Sequence, residues 1–83
     1  METETSFGNQ VRERRLELGL SQAEVAGRVG CAVVTARKIE ASDLRPSVQM
    51  AERLAMALNV PLEERAGFVR LARSASLRTP EQP

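Results

Sequence analysis

Residues 20–40, LSQAEVAGRVGCAVVTARKIE, constrain the fold more than any other stretch, because start and stop signals for two short helices fall close together there. Ser21 followed three residues later by Glu24 is a capping box: the serine oxygen accepts the Glu24 amide and the glutamate accepts the Ser21 amide. Leu20 before the cap and Val25 at the fourth helical position form the matching hydrophobic staple. Val25 and Val29, with Ala26 beside them, give one apolar face. Gly30 ends the helix as a residue free to take positive φ. Thr35 to Glu40 then run on as a second helix.

That second helix has more apolar surface than the core needs. Ala36 and Ile39 lie one turn apart and face inward, whereas Val33, Val34, Arg37 and Lys38 fall at i, i+1, i+4 and i+5 and share the opposite face. Two basic residues there suit a solvated surface. Two β-branched apolar residues beside them point to contact with something outside the domain. A helix rotated to bury Val33 is the competing arrangement. Ala32 stands where Ser, Thr, Asp or Asn would cap this helix, a loss of about 1 kcal/mol. Cys31 is either a weak substitute cap or a small packed residue; nothing near it activates a thiolate. Helix, tight turn and helix with an exposed basic face is the geometry that lays one helix in a DNA major groove.

Composition narrows the classes. The chain has 83 residues, 42% apolar and only 2% aromatic, so a core of Leu, Val, Ile, Met and Ala is expected, with helices rather than sheets. This length is enough for one domain. No apolar run reaches the roughly 18 residues of a membrane span. The start, METETSFG, lacks the basic and apolar regions of a signal peptide. An intracellular protein with no membrane partner is expected. One cysteine cannot make an internal disulfide, and the absence of histidine removes the commonest metal ligand and general base. No enzyme, cofactor or metal site is expected. Net charge is only +1, which limits how tightly one copy holds DNA through electrostatics.

The flanking segments read as three more helices. Ser6 caps a first helix through Leu18, ended by Gly19, with Phe7, Val11, Arg15 and Leu18 on one stripe. Arg15 is a charge on the buried face. Spacing leaves two readings open: an ion pair with Glu40, or a side chain that snorkels to solvent beside Leu16. Residues 41–46 form a loop in which Pro46 holds Arg45 near the next helix. Ser47 caps a fourth helix through Leu58 with Ala51, Leu54, Ala55 and Leu58 buried; Val60 and Pro61 break it. A fifth runs from about Leu62 to Arg73, with Leu62, Ala66, Val69 and Ala72 on one side and Phe68 and Leu71 on an adjacent one. That wide apolar surface either closes the core or meets a second copy. Domain limits of 6–73 are expected, with residues 74–83 a polar, proline-bearing tail or linker.

The segments VRERRLELGLSQAEVAGRVG, TARKIE, RPS and AERLAMALNV, kept in register over about residues 7–73, resemble the Cro/C1-type helix-turn-helix domains, the XRE family, of phage repressors and bacterial regulators. The resemblance implies an all-α, compact five-helix bundle of the lambda-repressor-like DNA-binding type. It implies that Arg15 and Glu40 form a buried ion pair, that Gln22 meets a phosphate, and that the third helix, about residues 32–41, is the recognition helix. Base-facing positions then fall on Ala32, Val33, Val34 and Lys38, with Arg37 nearby and Arg45 as a basic backbone contact. The segment VPLEERAGFVRLAR is similar to one in the N-terminal domains of large bacterial regulators, which implies further domains C-terminal to this chain.

Three departures from the family pattern cluster in the third helix: Ala32 for a polar cap, valines for polar readers at 33 and 34, and Ala36 for isoleucine. Ala36 would forfeit about 2–4 kcal/mol if no neighbour filled the space. The expected function is sequence-specific binding of double-stranded DNA by a transcriptional regulator, as a homodimer on palindromic half-sites, in the cytoplasm and nucleoid-associated when bound. The alternative is a protein–protein interaction or dimerisation module on the same fold.

Overall fold

The computed structural model describes residues 6–74, and these form five helices and no strand: α1 Phe7–Glu17, α2 Gln22–Val29, α3 Val33–Glu40, α4 Val48–Ala57 and α5 Leu62–Ser74. The tail expected from residue 74 lies, beyond Ser74, outside the described residues. No helix among the described residues is long and apolar enough to cross a membrane.

Most of the helix ends have a local reason. Ser6, Ser21 and Ser47 accept amide hydrogen bonds from Asn9, Glu24 and Met50 at 3.0, 3.0 and 3.1 Å, and Glu24 completes the capping box by accepting the Ser21 amide at 2.8 Å. α3 has no such bond: Ala32 offers none, and Cys31 stays a partly buried free thiol. Gly19 (φ 71°) closes α1 in a Schellman turn, its amide donating to Leu16 and that of Leu20 to Arg15. The same turn ends α3 at Ser42 (φ 64°) and α4 at Asn59 (φ 56°). In α5 the acidic residues Glu63 and Glu64 sit in the first turn, where the helix dipole favours them.

α4 packs on α5 and on α2, α2 on α3, and α1 on α3. Ile39, Leu54, Leu58, Val11 and Val25 are the largest fully buried side chains, one or more from each of α1 to α3 and from α4 with its C-cap. Phe7 and Phe68 meet in a tilted pair with centroids 4.9 Å apart, which closes α5 over α1. Gly8 marks the tightest approach. A Cβ there would fall 2.7 Å from the Ile39 carbonyl oxygen and closer still to that of Glu40, so only glycine lets α1 lie against the end of α3.

Arg14 and Arg73 tie elements together through backbone oxygens. Arg14 donates to the Leu58 and Asn59 carbonyls at 2.9 and 2.7 Å, covering the acceptor end of α4, and Arg73 donates to Pro46 at 2.9 Å. The wide apolar surface of α5 divides. Phe68, Val69, Leu71 and Ala72 close the core, while Leu62 (76% exposed) and Ala66 stay outside.

Candidate nucleic-acid interface

The candidate site is the outward face of α3, and it is positioned from behind. Ala36, Ile39 and Glu40 are buried, at 4%, 1% and 8% exposure. With a period of 3.6 residues, fixing those three positions turns Val34, Arg37 and Lys38 outward, while Val33, three residues before Ala36 and seven before Glu40, lies toward the inner stripe and is exposed as the first residue of the helix. All four are exposed, the valines at 39% and 46%. The rotated arrangement that buries Val33 is therefore not adopted. The side chains of Arg37 and Lys38 form no hydrogen bond or ion pair among the described residues. Ala32 is also exposed, at the N-cap.

A single charged network sets the angle of α3. Arg15 grips Glu40 with two parallel bonds, Nε to Oε2 at 2.6 Å and a terminal nitrogen to Oε1 at 3.1 Å. Its remaining terminal nitrogen donates to the Leu20 carbonyl at 3.0 Å. The two side chains are only 11% and 5% exposed. Gln22, the first residue of α2, donates its Nε2 to Glu40 Oε1 at 3.1 Å. The network thus joins α1, the α1–α2 turn, the start of α2 and the last residue of α3. Spacing alone does not show Gln22 as a member. The available signal is chemical: a buried carboxylate has more lone pairs than one guanidinium fills.

Arg45 is exposed in the loop after α3, with Leu44 (39% exposed) beside it and Val48 (46%) at the start of α4. Gln22 sits at the α2 N-terminus, where helix amides and the dipole favour an anion. The candidate residues therefore come from three places: the start of α2, the outer side of α3, and the loop that follows it. A helix flanked by two anion-favouring points, each carried on a neighbouring element, is the arrangement of a helix-turn-helix DNA-binding domain.

The chain belongs to the helix-turn-helix domain family, of the XRE-like type: the family description "Helix-turn-helix domain" matches residues 6–68. Among curated proteins it is similar to an uncharacterized HTH-type transcriptional regulator of Methanothermobacter thermautotrophicus, with 46% identity over 48 residues. The match covers 58% of this chain and 70% of that protein. No solved structure matches the chain.

Proposed function

We propose that this domain serves a transcriptional regulator by binding double-stranded DNA sequence-specifically, with α3 in the major groove. The observation that carries the reading is the division of α3: its inner positions are buried and braced, while Val33, Val34, Arg37 and Lys38 are exposed together. Lys38 or Arg37 donates to guanine O6 and N7, and Val33 or Val34 packs on a thymine methyl. Ala32, at the mouth of the helix, admits a base edge or sugar closely. Gln22 and Arg45 set register on phosphates without reading sequence. With a net charge of +1, one copy binds weakly, and two copies on half-sites about one helical turn apart supply the rest. A regulator of this type works in the cytoplasm, on the nucleoid.

The test is selection from random duplexes, followed by titration of the selected site. A palindromic consensus is expected. Lys38→Ala relaxes preference at one base position by about 1–3 kcal/mol, whereas Arg45→Ala weakens all sequences alike. Wild-type affinity and preference in both variants would exclude this docking.

The exposed valines support a second reading, in which the same face holds a protein partner and DNA binding is lost. Retention on mixed-sequence DNA separates the two. Loss of retention as salt rises favours DNA; retention indifferent to salt, or none, favours the protein partner.

A further inference from the structure

The flank formed by α4 and α5 carries apolar and basic groups that neither the core nor the α3 face uses. A groove of about 590 Å³ runs between the two helices, lined by Glu52, Met56, Arg65, Ala66, Val69 and Arg70. A second hollow of about 380 Å³ shares Met56 and brings in Arg28 and Arg53. Met56 stands between them at 61% exposure, and Leu62, one turn before Ala66 on α5, is 76% exposed. Arg28, Arg53 and Arg70 form no ion pair among the described residues, and Arg65 donates its Nε to the Val60 carbonyl at 3.0 Å. Four arginines thus surround an apolar strip with Glu52 as the one acid among the lining residues.

The opposite flank of α5 has the reverse sign. The hollow between α1 and α5 is lined by Glu13, Glu17 and Glu64, and its one arginine, Arg14, is held by the Leu58 and Asn59 carbonyls. Charge is therefore sorted across α5 in a chain whose net charge is only +1.

We propose that the α4–α5 groove docks an acidic amphipathic helical segment of a partner protein. Its apolar side chains would lie on Met56, Ala66 and Val69, and its carboxylates would meet the arginines. Exposed Met and Arg are residue types enriched where interfaces form, and Met adapts to irregular apolar partners. A second copy docked by the same face would set arginines against arginines, a like-charge arrangement that is disfavoured. A phosphate backbone would meet the arginines but leave the apolar strip without a partner. None of the groove residues belongs to the α3 face, so the inference stands independently of the DNA reading.

The test uses the whole 83-residue chain, ¹⁵N-labelled, titrated with a synthetic 15-residue amphipathic helix of leucine and glutamate. Amide shifts are expected at Met56, Ala66, Val69 and Arg70 and not at Arg37 or Lys38. The same peptide with lysine in place of glutamate should not bind. Met56→Glu and, separately, Arg70→Glu should each weaken binding at least tenfold; both side chains are exposed, so circular dichroism should match wild type. Absence of binding, equal binding of the lysine peptide, or undiminished binding by both variants overturns the proposal. So does a mixed-sequence duplex that shifts the same amides, which makes the flank a nucleic-acid surface. Sedimentation showing a dimer abolished by Met56→Glu overturns it in favour of a second copy.

Discussion

Ala32 occupies the α3 N-cap with φ −73° and ψ 152°, backbone angles that serine adopts without rearrangement. Ala32→Ser places a hydroxyl oxygen where it accepts the amide of Val34 or Thr35. The expected gain is about 1 kcal/mol, or roughly 4–8 °C in a domain this small. Thermal melting checks it; a lower midpoint would mean that the helix starts elsewhere. Arg15 and Glu40 pose the opposite case. Because both side chains are buried, removing one leaves the other charged and without its partner. Arg15→Leu or Glu40→Leu alone should therefore destabilise by about 3–5 kcal/mol. The double variant should recover most of that loss, since two apolar side chains replace a pair that was costly to desolvate. Urea unfolding of the three variants completes the cycle, and strict additivity would exclude the coupling.

At the scale of elements, the α1–α3 contact depends on an absent side chain. Gly8→Ala improves helix propensity, yet its Cβ meets the Ile39 and Glu40 carbonyls, which belong to backbone and cannot swing aside. We expect a net loss of about 1–3 kcal/mol, with α3 displaced and DNA binding weakened in step. Gly27, inside α2, is the control. A Cβ there meets nothing within 4 Å, so Gly27→Ala should stabilise by about 0.5–1 kcal/mol. Chemical denaturation of the two variants distinguishes them by sign.

The same contrast marks what could be read from the chain. The Ser21–Glu24 box, Gly19 and Gly30 act within a turn of sequence, and helical periodicity pointed Val34, Arg37 and Lys38 outward while leaving the burial of Val33 open until the structure showed it exposed. Gly8 was not legible, because its reason lies on α3. Ser42 takes a left-handed angle that a glycine would announce and a serine does not, whereas Asn59 is of a type that tolerates that angle and so carries a weaker signal of its own. On α5, spacing defined an apolar stripe without showing that Leu62 and Ala66 fall on its wet edge while Phe68 and Leu71 turn inward. Gln22 matched a family position, but its bond to Glu40 depends on two helices meeting.

For the whole molecule, charge sets the limits. Under the proposed docking, each phosphate neutralised per copy adds about −0.9 to the log–log salt slope, so the few contacts named predict a shallow slope for one copy and about twice that for a symmetric pair. Measuring affinity for the selected site between low and moderate salt tests this. A steep slope from one copy would mean that more basic residues reach the backbone than those on α3 and its flanking elements. The arrangement of α3 has a consequence of another kind. Its buried side-chain contacts run through Ala36, Ile39 and Glu40, so the exposed side chains of Val33, Val34, Arg37 and Lys38 take little part in holding the bundle together. Preference and foldability are thereby largely uncoupled: residues 33, 34, 37 and 38 can be exchanged as a set, like the teeth of a key cut on an unchanging blank, and under the proposed docking each new set would inherit the same seat on the duplex.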